Sequence, residues 1–142
     1  AHVSSTRQRM AGTCRATEEA GIPLGAKDTF MNGTDPEIIR TNAGRILDAG
    51  IYDTVIFTIP RGIYGIQNAL WVRGMELGRD ILVGGWSNRE VIRQQPAWYP
   101  VVLQNADMMG TTVANRILRR VNLQGEFLPS ERLVLEPELY LP

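Results

Sequence analysis

Two apolar runs give this chain its clearest pattern. TVIFTI, Thr54 to Ile59, leads into a glycine-rich turn and a segment of helical period, and ILVGGWSN, Ile81 to Asn88, repeats the opening. Each run has strand length, many β-branched residues and no strict alternation, which predicts strands covered on both faces, as in a parallel α/β sheet. Between them, Ile63, Ile66 and Leu70 fall on one side of a helix that Gly78 is expected to close, a crossover long enough for a parallel connection. In open sheets of this kind ligands gather beyond the carboxyl ends of the strands, here Ile59 to Gly62, Trp86 to Asn88, and Gln104 to Asn105.

The flanking segments extend the alternation. Ser4 and Ser5 read as caps of a helix from about Thr6 to Ala20, with Met10, Ala11 and Cys14 on one face and Gly21 and Pro23 stopping it. Leu24 to Thr34 reads as a loop or short edge strand. Asp35-Pro36 is an N-cap followed by a first-turn proline, predicting a helix to Ala49 that buries Ile39, Ala43, Ile46 and Leu47 and ends at Gly50. After the second strand come a polar loop from Asn88 to Pro100, the short run VVLQ, and a helix from Ala106 to about Val121. That helix carries a wide apolar stripe of Met109, Val113, Ala114, Ile117, Leu118 and Val121. A turn at Asn122 to Gly125 and a last strand within RLVLEPELYLP complete the reading.

Composition narrows the function classes. The 142 residues are 44% hydrophobic and 21% charged, which fits one ordinary domain with its own core. Fifteen basic residues balance fifteen acidic ones, so no global field draws the chain to nucleic acid or an anionic membrane. The single cysteine excludes an internal disulfide and mildly favours a reducing cytoplasm, and no apolar stretch approaches the length of a membrane span. His2 is the only histidine, and Cys14 has none near it in sequence, so neither a zinc site nor a cysteine nucleophile can be assembled; no metal or cofactor is expected. Gly62 to Gly65 spells GIYG after a strand but lacks the rest of a phosphate or nucleic-acid fingerprint. Arg116, Arg119 and Arg120 cluster late in a helix, where cations complement the dipole on a solvated face.

Read in order, the landmarks resemble the effector-binding core of the lac and gal repressor family, whose fold is shared with periplasmic sugar-binding proteins. RQRMAG followed by EEAGI resembles the family's arginine-led helix, Gly74 to Gly85 its glycine, polar loop and strand signature, Gln104 and Gly110 its glutamine and glycine spacing, and LVLEPEL its closing segment. The resemblance covers nearly the whole chain. It implies an α/β, parallel-sheet, periplasmic-binding-protein-like (type I) sandwich, with residues 1–142 forming a single effector-binding fragment. That fragment would be mostly the C-terminal lobe plus the late crossover to the N-terminal lobe. It would lack the strand before Val3 and the DNA-binding headpiece, and the start at Ala1 agrees with a fragment.

The resemblance also nominates a ligand site. Arg9 falls where the family places an arginine that holds ligand oxygens, a task suited to a planar fork of donors, although a solvated or structurally paired arginine is the alternative. Ser5 would add a hydroxyl or only cap its helix, Phe30 would stack on a ligand or serve the core, and Trp86 reads as packing. Gln104 would bridge ligand and hinge or be a buried structural amide. The departures carry more information. Ile59-Pro60 and then Arg61 stand where the family commonly has an Asn-Asp pair, and Ser87 stands where it commonly has an aspartate. Losing two polar acceptors predicts weak binding of neutral sugars, while Arg61 and Ser87 suit an acidic or less hydroxylated ligand.

The expected function is therefore small-molecule sensing in a bacterial transcriptional regulator and not an enzyme. The effector would be sugar-like or an anionic metabolite, and operator DNA would be met only through the missing headpiece. A cytoplasmic homodimer without membrane contact completes the expectation. The rivals are an exported sugar-binding protein of the same fold and an α/β transferase, the second lacking any nucleophile and base that the sequence can supply.

Overall fold

The computed structural model describes residues 4–31, 33–94, 99–122 and 132–142. In chain order they form α1 (Ser4–Glu19), a 3₁₀ turn (Ala26–Asp28), α2 (Pro36–Ala49), β1 (Thr54–Phe57), α3 (Gly62–Val72), β2 (Leu82–Ser87), α4 (Arg89–Gln94), β3 (Val101–Leu103), α5 (Ala106–Asn122) and β4 (Glu138–Tyr140). One sheet runs β1-β2-β3-β4, its first two pairings parallel and its last antiparallel. The α/β class and the parallel core agree with the sequence pattern; the added antiparallel edge makes the sheet mixed.

The core lies between the sheet and the α2–α3 pair. Odd-numbered strand residues face it: Val83, Val101 and Leu103 are buried, with Val55 and Phe57 packed alongside. From the helices come Ala43 and Ile46 of α2 and Ile63, Ile66, Ala69 and Leu70 of α3, Ile66 having no exposed surface at all. A side-chain period of two puts the even-numbered residues on the other face. There Ile56 and Leu82 are exposed while Trp86 is half-buried under Arg9 of α1, so among the described residues that face of β1 and β2 is covered only in part. The uninterrupted apolar runs reflect strand propensity and partly exposed positions, which periodicity alone does not separate.

Local chemistry explains most element ends. The Asp35 carboxylate accepts the Glu37 amide at 2.9 Å, Pro36 occupies the first helical position, and Gly50 ends α2 with φ of 63°, as expected. Gly21 stops α1 with φ of 78° and an amide donated to the Glu18 carbonyl. Three expectations need correction, and of the two readings of Leu24 to Thr34 the loop holds. Ser5 lies inside α1 and does not cap it. Leu24 to Thr34 holds a 3₁₀ turn and no strand among its described residues. The helix after β1 ends at Arg73 and Gly74, while Gly78 serves the later tight turn where Leu77 bridges Ile81. The polar stretch after β2 contains α4, whose first turn is capped by Asn88 Oδ1 accepting the Val91 amide at 2.9 Å. Beyond Asn122, the expected turn to Gly125 lies outside the described residues, as do His2 and Trp98.

Ion pairs hold the helices from outside. Arg73 reaches both carboxylate oxygens of Asp48 from α3 to α2, and Arg89 at the start of α4 pairs with Glu138 of β4. Exposed pairs of this kind contribute about 0–1 kcal/mol each, so they set register more than stability. The two outer helices differ from α2 and α3. Neither α1 nor α5 buries a residue completely, and the α5 stripe of Met109, Val113, Ile117, Leu118 and Val121 lies exposed.

Three glycines admit close approaches. A Cβ on Gly62 would lie 1.9 Å from Phe57 Cδ1, one on Gly65 2.4 Å from Ile39 Cγ2, and one on Gly85 2.5 Å from the Phe57 carbonyl oxygen. Gly84 has only ordinary contact at 3.6 Å. We expect Gly85→Ala to destabilise the domain by about 1–3 kcal/mol, since backbone must shift to admit the methyl, and Gly84→Ala to stay within about 0.5 kcal/mol. Equal unfolding midpoints in urea for the two variants would contradict this packing.

Candidate functional site

The carboxyl ends of β1 and β2 meet the start of α3 at one edge of the sheet. Because α3 must return antiparallel to the strands, its first turn opens at that edge. Phe57, Ile59, Pro60, Ile63, Gly84, Gly85, Trp86, Ser87 and Tyr99 surround a narrow gap of about 10 Å³, enough for a single oxygen-sized group. The walls are almost wholly apolar. Ser87 supplies a polar side chain there, is 4% exposed, and its Oγ has no hydrogen-bond partner.

Arg9 reaches the same edge from α1. Its Nη1 donates to the Thr58 carbonyl at 2.6 Å, and its guanidinium carbon lies 5.8 Å from the centroid of the Trp86 ring. Arg9 is half-buried, and the desolvation pulls its pKa below the ordinary arginine value. One contact uses one of five donors, which leaves most of the fork available. Arg61 stands at the N-cap of α3, exposed, with no side-chain cap bond. Gln104 follows β3 and is half-buried, its backbone N–H donating to the Ser87 carbonyl at 3.1 Å. Ser5 lies one helical turn before Arg9 on α1, half-buried.

The structure thus brings Arg9, Ile59, Arg61, Ser87 and Gln104 to a common edge. Phe30 is elsewhere. Its ring meets Tyr52 edge-on, with centroids 6.0 Å apart, beside the start of β1, and it packs against the core. Trp86 combines packing with its cation contact. Tyr99 is a wall that the sequence reading missed, because it sits at the end of a stretch read as polar loop; its burial raises the phenol pKa, with a smaller contribution from Tyr64. Asn105, noted for its place after β3, accepts the Met108 amide at 3.2 Å and caps α5. A second, shallower hollow of about 350 Å³ lies at the other end of α3, against Leu70, Trp71 and Met75. It has no arginine and no unpartnered buried hydroxyl.

Among the described residues there is no group of three His, Cys, Asp or Glu side chains placed to hold a metal ion, and no helix is long and apolar enough to cross a membrane. No protein-family sequence model matches the chain, and no curated relative matches it by sequence. Solved structures do match. The transcription regulator CcpA of Lactococcus lactis aligns with a TM-score of 0.75 and 23% identity over 94% of this chain and 48% of its own. The fold is that of the LacI-family regulators. The transcriptional regulator CelR, solved in complex with cellobiose, aligns with a TM-score of 0.79 and 22% identity over 95% of this chain and 41% of its own. A LacI-family regulator from Enterococcus faecium with bound ribose gives 0.77 and 17% over 94% and 49%. The chain therefore spans about half the length of the structures it resembles.

Ser87 yields a direct test. Removing a buried hydroxyl that lacks a partner relieves a desolvation cost, so Ser87→Ala should leave the unliganded domain as stable or stabilise it by about 1 kcal/mol. Chemical unfolding of the pair measures this, and a loss of 1 kcal/mol or more would show that Ser87 is satisfied in solution.

Proposed function

We propose that this chain is the small-molecule-sensing part of a LacI/GalR-type transcriptional regulator. The observation that carries the reading is the correspondence of nearly the whole chain to regulator structures, two of which hold a sugar. An effector would sit at the edge formed by Ile59, Arg61, Ser87, Gln104 and Arg9. Ser5 would lie at its margin, and Phe30, edge-on to Tyr52, would serve the core.

Mechanism follows from geometry and linkage. Arg9 joins α1 to the end of β1, and Gln104 joins β3 to α5, so a ligand at this edge touches segments leading into both outer helices. A ligand that binds one arrangement of lobes more tightly than another shifts their populations by its differential affinity and no further. DNA binding would belong to a headpiece elsewhere in the intact protein. It would act as a cytoplasmic homodimer, because a two-fold protein suits a palindromic operator. Catalysis is not part of the proposal: the edge offers no paired nucleophile and base.

Retention of the intact protein on DNA from upstream of its own gene, measured with and without saturating effector, tests the reading. The half-point should move by about 5–150-fold, the usual range of coupling between two sites. An intact protein indifferent to that DNA under both conditions would end the proposal.

The chain by itself should show no sequence-specific DNA retention, given its balanced charge. Binding through Arg116, Arg119 and Arg120 should be insensitive to sequence and disappear as salt rises through the physiological range. Operator-specific retention by this chain at physiological salt would make it a DNA-contacting module.

A further inference from the structure

We propose that this edge takes a ligand with an oxyanion, carboxylate or phosphate, held between Arg9 and Arg61 at the start of α3, and a largely apolar body that buries one oxygen on Ser87. The proposal rests on the reading of this edge as the effector site and goes further in naming the ligand's chemistry.

Three observations converge on it. The first is unspent positive charge. Arg9 is half-buried over Trp86 with one hydrogen bond, to a neutral carbonyl, and Arg61 makes no hydrogen bond or ion pair among the described residues. A partly desolvated guanidinium without an anion is a costly arrangement that an incoming oxyanion relieves. Arg9 and Arg61 bracket the short segment Thr58-Ile59-Pro60, Arg9 being bonded to its first residue and Arg61 following its last.

The second is the end of α3. Arg61 at the N-cap makes no side-chain cap bond, and the first turn contains no acidic residue. Of the first-turn amides, Gly62 donates to the Ile59 carbonyl at 3.2 Å. The others have no preceding helical turn to supply a carbonyl acceptor, and the positive end of the dipole adds to the arginine charge. An anion at this position meets backbone donors as well as two guanidinium groups.

The third is independent of charge. Ser87 Oγ is buried without a partner in the gap that Ile59, Pro60 and Ile63 share with it, and that gap admits one oxygen-sized group. The surrounding walls are Phe57, Ile59, Pro60, Ile63 and Trp86. A sugar ring seated there would bring several hydroxyls against carbon and leave them unpaired; a body with one inward oxygen would not.

Calorimetric titration of the intact protein with 4-hydroxyphenyl phosphate, 4-hydroxyphenylacetate, inorganic phosphate, D-glucose and D-ribose tests this. At least one of the two aromatic oxyanions should bind about tenfold or more tightly than either sugar and than inorganic phosphate. Which one does so separates a phosphate from a carboxylate ligand. Arg61→Gln should weaken that binding by about tenfold, Arg61→Lys should restore part of it, and Arg40→Gln on the far surface of α2 should not change it. Arg61 is exposed and unpaired among the described residues, so the variant tests binding without threatening the fold. Tighter binding of a sugar than of both aromatic oxyanions would overturn the proposal, as would oxyanion binding unaffected by Arg61→Gln. The sensor reading fails differently. A sugar that binds and moves DNA retention leaves the sensor intact and refutes the oxyanion; 4-hydroxyphenyl phosphate or 4-hydroxyphenylacetate held through Arg61 with no effect on DNA retention does the reverse.

Discussion

The close approach of β1, β2 and α3 around Phe57 organises the rest of the domain. Its ring occupies the place of a side chain at Gly62, and its carbonyl occupies the place of one at Gly85. Two strand ends and a helix start are thereby drawn together more closely than any other residue types allow. Everything of chemical interest lies just beyond that junction: Thr58, whose carbonyl anchors Arg9, Ile59 and Arg61 before α3, and Ser87 at the end of β2. The packing below defines the edge above, so the position of the candidate site depends on carbon contacts that take no part in recognition.

The polar groups at this edge are few, and that scarcity is informative. A buried hydroxyl without a partner and a desolvated guanidinium bonded to a carbonyl both carry costs that the apolar core can bear. In a domain whose other buried strand positions are filled by Val83, Val101 and Leu103, such residues stand out against a background of satisfied packing. The helix α5 shows the opposite imbalance, with apolar surface exceeding what the described residues cover.

Much of this architecture was legible beforehand, for identifiable reasons. Asp35-Pro36 and Gly50 bracket α2 because capping is local chemistry that four or five residues fully determine. The β1-α3-β2 unit was readable because its apolar residues keep their spacing. Gly74 and Gly78 were not distinguishable in this way. Both adopt positive φ, and only the Leu77–Ile81 bridge shows which ends the helix and which turns the chain. Phe30 stayed open between ligand and core because a lone aromatic in a loop carries no sign of its partner, and Tyr52 lies far along the chain. Arg9, Arg61 and Ser87 were named from the resemblance. Their meeting at one edge comes from topology, while the missing partner of Ser87 is a property of packing that no motif encodes.

The pairing of β4 with β3 gives the domain an uneven resistance to opening. The parallel pairings are joined by helices close in sequence, but Leu103 must find Glu138 across the whole of α5 and the segment after it. Such a contact closes a long loop and comes late in assembly. β4 is short and its Leu139 is exposed, while Tyr140 packs against the core and Glu138 pairs with Arg89 on the surface. Its pairing with β3 therefore depends on closing that long loop, unlike the locally connected unit of β1, α3 and β2.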